Sequence, residues 1–153
     1  MTESASKDHL RTLEVKRLAT SAPAPERTAL RALLLGSFKL PPSWDTAAPL
    51  LGAWRERDPR GGLPSYLLAR NLFNRSMFDE SAQYLDEALG RELSLESVQR
   101  EALRLRVIVG CARLEGNAVR RSLARYVALP EVTTHERDAA LSIASRCGVS
   151  PDR

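Results

Sequence analysis

Residues 28–61 and 62–95 carry the same order of large and small side chains, 34 positions apart. Leu34 falls on Leu68, Phe38 on Leu72, Trp44 on Phe78, Ala47 on Ser81, Ala48 on Ala82, Leu51 on Leu85 and Trp54 on Ala88. Each stretch holds two apolar patterns of helical period separated by a break. A tandem spacing of this length points to a helical hairpin used more than once. One hairpin cannot cover both of its apolar faces, so it must lean on a neighbour. The feature constrains architecture strongly and chemistry only indirectly.

The breaks between the patterns have local causes. Leu10, Leu13 and Leu18 give residues 7–19 an amphipathic stripe, and Pro23 and Pro25 interrupt the chain after it. Leu30, Leu33, Leu34 and Phe38 define a helix over 26–39, which Pro41 and Pro42 stop. Ser43 is suited to cap the helix that follows, with a slight bend or late start expected from Pro49. The next hairpin is expected over 63–75 and 78–89, with Gly90 as its stop. Val98, Ala102, Leu105, Val109 and Ala112 mark a helix over 95–114. Gly116 and Asn117 then end that helix and cap the one carrying Val119, Ser122, Leu123 and Tyr126. Thr133, with Glu136 three residues on, has the form of a capping box for a last helix through Ala140, Ile143 and Cys147.

These residues resemble the tetratricopeptide repeat family over 28–95, and more loosely over 96–130. In the third unit the counterpart of Phe78 is Val119, a spacing of 41, so its first helix should be longer by about two turns. The resemblance implies an all-α, right-handed superhelical stack of about seven or eight helices. Residues 1–22 would be a polar N-terminus with an amphipathic helix, 23–130 three helical hairpins, and 131–153 a capping helix and tail.

Composition bounds the function. The chain has 153 residues, a net charge of +4, 27% charged and 5% aromatic residues. Arginine carries nearly all of the positive charge, without the dense basic block of a dedicated nucleic-acid module. Met1–Lys7 is polar, and no run approaches the roughly 18–20 apolar residues a bilayer requires. A cytoplasmic protein without membrane association is the expectation. Cys111 and Cys147 read as buried small side chains; whether they pair is open at this level.

Catalytic machinery is not visible. His9 and His135 stand apart from any partner set, and there is no HExxH, metal-spaced cluster or phosphate-cradling glycine loop. Asp79/Glu80 and Asp86/Glu87 are adjacent pairs that diverge around a helix. Neither an enzyme nor a cofactor is expected.

The resemblance implies a concave groove lined by the first helix of each hairpin. Its groove positions fall on Ala32, Gly36 and Lys39, then Tyr66, Arg70 and Phe73, then Arg106, Gly110 and Arg113. Ala32 and Gly36 lack the side chains of the family's carboxylate clamp. The partner-binding candidates are thus Lys39, Tyr66, Arg70, Phe73, Arg106 and Arg113, offering cations and aromatic anchors to an extended or helical acidic segment of a protein or peptide. The competing interpretation is that the arginines are solvated and the aromatics are core. Alternatives of another kind are self-association through the stack's ends, or weak nucleic-acid binding through Arg100, Arg104, Arg120, Arg121 and Arg125. Those five fit equally a solvated outer face.

Overall fold

The computed structural model describes residues 44–93 and 95–149. Expected helices over 7–19 and 26–39, together with Ala32, Gly36 and Lys39, lie outside the described residues. Six α-helices are present among those described: α1 (Trp44–Arg57), α2 (Leu63–Asn74), α3 (Phe78–Gly90), α4 (Glu96–Ala112), α5 (Gly116–Ala128) and α6 (Thr134–Arg146). They include no β-strand; one isolated parallel bridge joins Gly61 and Glu92. The chain divides between Asp58 and Pro59 into two compact units.

The first unit contributes α1, which continues through Pro49 although that residue has no N–H to donate to the preceding turn. Leu51 and Trp54 are buried. The side chain of Trp44, on which the pairing with Phe78 rests, lies outside the described residues.

The second unit contains two helical hairpins, α2–α3 and α4–α5, followed by α6. Its helices end for stated reasons. Met77 N–H donates to the Leu72 carbonyl (2.9 Å) and Ser76 N–H to that of Phe73 (2.9 Å), with Ser76 at φ 59°. Glu115 N–H donates to Gly110 (2.8 Å) and Leu114 N–H to Cys111 (3.2 Å), with Leu114 at φ 57°. Val149 and Gly148 close α6 in the same way onto Ala144 (2.9 Å) and Ser145 (3.0 Å). This is the Schellman stop, in which a left-handed residue lets two N–H groups satisfy the last carbonyls. Only the α6 stop uses glycine. The stop of α4 is therefore Leu114, and Gly116 opens α5 rather than closing α4.

The two hairpin turns are built alike residue by residue. Arg75 (φ −95°, ψ 7°) answers to Arg113 (φ −94°, ψ 1°), Ser76 to Leu114, and Met77 (φ −90°, ψ 72°) to Glu115 (φ −97°, ψ 72°). The spacing is 38 in each pair. Phe78 thus corresponds to Gly116, and the spacing of 41 through Val119 is corrected. All of the extra length of α4, 17 residues against the 12 of α2, lies at its N-terminal end, before Glu101, the counterpart of Leu63.

Burial explains why α4 is central. Ala102, Leu105 and Val109 join Tyr66, Ala69, Ala82, Leu85 and Ala88 in one core cluster. Leu103 and Val107 join Val119, Leu123, Tyr126, Ala140 and Ala144 in another. A helix buried on two sides carries two apolar stripes, which a search for a single stripe does not separate. Close approach also sets the glycines. A Cβ on Gly110 would sit 2.6 Å from Val119 Cγ2, and one on Gly62 would sit 2.6 Å from the Ala88 carbonyl. At the N-terminal end of α2, Gly62 N–H donates to the Glu92 carbonyl and Glu92 N–H to that of Arg60, each at 2.8 Å. At the start of α6, Thr133 Oγ1 accepts from Glu136 N–H (3.1 Å), and Glu136 Oε1 accepts from Thr133 N–H (3.3 Å). The capping box is complete.

Candidate functional site: charges spent and charges left over

The groove candidates do not form one open face. Arg106 is 3% exposed. Its Nε and Nη2 donate to Asp86 Oδ1 and Oδ2 (2.8 and 3.3 Å), while Nη1 donates to Glu115 Oε1 (3.1 Å). Burial works against the Arg106 charge, but its hydrogen bonds and Coulomb attraction to Asp86 and Glu115 outweigh that cost and raise its pKa. Arg113 is more accessible and is also engaged, through Nε to Asp79 Oδ1 (2.9 Å) and Nη1 to Glu115 Oε1 (3.0 Å). Gly110 is covered by Val119. Tyr66 is buried in the core, and Phe73 is half-buried with its ring centroid 5.8 Å from that of Phe78. Arg70 is exposed on α2.

The turn equivalence explains the displacement. Tyr66, Arg70 and Phe73 correspond at a spacing of 38 to Arg104, Ile108 and Cys111, not to Arg106, Gly110 and Arg113. An error of two residues rotates a helical position by about 200°, which carries the chosen trio onto the opposite side of α4. The partly exposed strip of α4 includes Glu101, Arg104 and Ile108. Even there the cation is committed: Arg104 Nε and Nη2 donate to the two Glu101 oxygens at 3.0 and 2.9 Å. That hydrogen bond, opposed by burial, raises the Arg104 pKa. Nearby, Arg100 lies 3.9 Å from Glu136. Tyr126, 1% exposed, has its phenol pKa raised by burial and then by the Glu136 charge.

The α5 helix is different. Its sequence GNAVRRSLARYVA contains three arginines and no acid. Arg120 Nη1 donates to Asn117 Oδ1 (3.0 Å), and its buried Nε has no partner among the described residues. Arg121 and Arg125, one turn apart, are exposed and have no carboxylate partner among the described residues. They border a cleft of about 270 Å³ between α5 and the C-terminal half of α3, with Ser122, Gly90 and Asp86 also on its wall. Both Asp86 oxygens accept from Arg106, which also answers Glu115, and the Asp86 side chain is 61% exposed, so this wall keeps some negative charge. A Cβ on Gly90 would meet nothing within 4 Å, so this wall leaves room for an incoming group.

The cleft can hold an anionic group by paired charge-assisted hydrogen bonds from two guanidinium groups and a hydroxyl. The described residues contain no cluster of three or more histidine, cysteine or acidic side chains able to hold a metal ion. No helix among them is long and apolar enough to cross a membrane.

Comparison with known proteins adds no assignment: no family model matches the chain, and no curated protein or solved structure does. In the sequence, Arg121 and Arg125 belong to a broad basic set with Arg100, Arg104 and Arg120. What singles them out is tertiary: Glu101, Asp86, Glu115 and Asp79 are brought to Arg104, Arg106 and Arg113, whereas α5 carries no acid and none among the described residues pairs with Arg121 or Arg125.

Proposed function

We propose that this chain is a non-catalytic docking module, a tetratricopeptide-like stack of helical hairpins that holds an acidic segment of a partner protein. The observation that carries this reading is the unequal use of arginine. Arg91, Arg104, Arg106 and Arg113 are bound to carboxylates of their own unit, while Arg121 and Arg125 project beside a cleft with no carboxylate partner among the described residues. Unanswered cations beside a concavity steer an acidic partner and fix its orientation, as complementary charge does at protein interfaces. Ser122 supplies a hydroxyl, and Gly90 leaves space for the partner's backbone. Arg70 and Phe73 form a more distant contact on α2. Arg106 and Arg113 hold the hairpins together and do not meet the partner.

The test uses a fluorescent glutamate-rich peptide as probe, with anisotropy as readout. Arg121→Glu combined with Arg125→Glu is expected to weaken binding by at least about tenfold, whereas Arg70→Glu changes it by about twofold or less. Equal loss in both variants, or binding that survives the double reversal in a folded protein, rejects the cleft. Preference for single-stranded nucleic acid over the peptide, with affinity falling steeply in salt, assigns the arginines to phosphates instead.

A further inference from the structure

We propose that the Cys111–Cys147 disulfide is a thiol–disulfide exchange site that controls whether α6 stays docked on the hairpins. The two cysteines are joined, with Cα atoms 5.4 Å apart, at a sequence separation of 36 that spans all of α5 and α6. That Cα separation is within the ordinary range for a disulfide. Cys111 sits in the last turn of α4, at the place that Phe73 occupies in the other hairpin. There a ring packs on Phe78; here a bond reaches to the C-cap of α6. The covalent link stands where the equivalent position relies on apolar packing.

Two observations make the link a control point rather than a redundant staple. First, α6 is thinly anchored: Ala140 and Ala144 are its buried residues, with Leu141 and Ile143 half-covered. Two alanines bury little apolar area, so the non-covalent grip of α6 is weak beside that of α4 or α5. Second, neither cysteine is sealed in the core; both are half-buried and packed against the edge of the apolar cluster under α6. Beneath α6 lies the apolar cluster of Leu103, Val107, Leu123 and Tyr126. Release of α6 uncovers the end of the helical array.

The chemistry balances with a dithiol as reductant. One thiolate of the dithiol attacks one Sγ, the S–S bond breaks, and the other Sγ leaves as a thiolate. The second thiol of the reagent then attacks the mixed disulfide, closes its own ring and frees the remaining cysteine. Two electrons pass to the protein, the dithiol becomes a cyclic disulfide, and its two protons end on Cys111 and Cys147. A small disulfide such as oxidised glutathione runs the sequence backwards. In a reducing thiol pool the clasp is open; in an oxidising one it is closed.

The experiment treats the full chain with dithiothreitol in the absence of denaturant and follows thiols by alkylation and intact mass. Amide hydrogen exchange reports each helix. The expected result is reduction of the pair with exchange in Thr134–Arg146 accelerated at least about tenfold, while α2 to α5 keep their protection. Oxidised glutathione should restore the slow exchange. Cys111→Ser combined with Cys147→Ser should be folded and exchange in α6 like the reduced protein. Resistance to reduction until the protein unfolds overturns the proposal, as does reduction with no change in α6. Loss of protection throughout α2–α5, or failure of the double serine variant to fold, overturns it too, because an open but folded state is what the proposal requires.

Discussion

The hairpins α2–α3 and α4–α5 turn through the same backbone dihedrals and yet fill their interiors with opposite chemistry. At one equivalent position the first has Leu68 and the second Arg106, and each is 3% exposed. At another pair the sizes are exchanged: Leu72 and Ser81 in the first, Gly110 and Val119 in the second. Ser81 donates to the Ala69 carbonyl at 2.9 Å, while Val119 occupies the space beside the bare Gly110. The turn fixes the path of the chain, and the interior tolerates any set of side chains that restores volume and answers every charge. Arg106 is answered from two sides, by Asp86 of α3 and by Glu115, which stands where the first hairpin has the exposed Met77. Because Asp86 belongs to the other hairpin, the bidentate pair also ties the two hairpins together.

The sharpest way to break this comparison is at Arg106. Arg106→Ala should cost about 2–4 kcal/mol in chemical denaturation. It opens a cavity and takes from Asp86 its bidentate partner, while Glu115 keeps Arg113; water reaches both carboxylates and moderates the loss. Arg106→Leu restores the volume that Leu68 fills in the first hairpin but leaves Asp86 without its partner, so it should recover only the cavity part of the loss, about 1–2 kcal/mol. Equal losses in the two variants would show that the position is not interchangeable between hairpins.

Gly110→Ala tests the exchanged sizes. The new methyl meets the short, β-branched Val119, which has little freedom to yield, so a loss of about 1–3 kcal/mol is expected. Val119→Ala in the same chain should recover part of it, and strictly additive losses in a double-mutant cycle would contradict the proposed contact. The smallest effect has the opposite sign. Leu114 holds φ 57° while 84% exposed, so it bears left-handed strain without packing in return. Leu114→Gly should raise stability by about 0.5–1 kcal/mol, observed as a higher denaturation midpoint. A lower midpoint would mean that the leucine contributes contacts in solution.

Much of the fold could be read from residues with strong local meaning. Thr133 and Glu136 specified the start of α6, and Leu63–Asn74 and Phe78–Gly90 have the helical periods seen in the sequence. The spacing of the second hairpin was harder to read for a physical reason. Its stop is a leucine in a left-handed conformation, a role for which glycine or asparagine is the usual signal. Gly116 drew the boundary two residues too late, and the apolar pattern was then aligned through Val119. Two stripes on α4 compounded the error, since an arginine on a buried stripe looks exposed until Asp86 and Glu115 are seen around it. The α5 cleft was illegible for another reason. Whether an arginine is left over depends on acids brought from distant parts of the chain, and a single helix carries no record of them.

The docking role proposed for this chain rests on internal ion pairs that consume the arginines of α4 and leave Arg121 and Arg125 without a carboxylate among the described residues. Its most direct test is a two-dimensional amide NMR titration of the full chain with the glutamate-rich peptide. Shift changes are expected to concentrate at Gly90, Arg121, Ser122 and Arg125, with Arg106 and Gly110 unmoved. Changes centred instead on Arg70, Arg104 and Ile108, or on Arg106 itself, would contradict it.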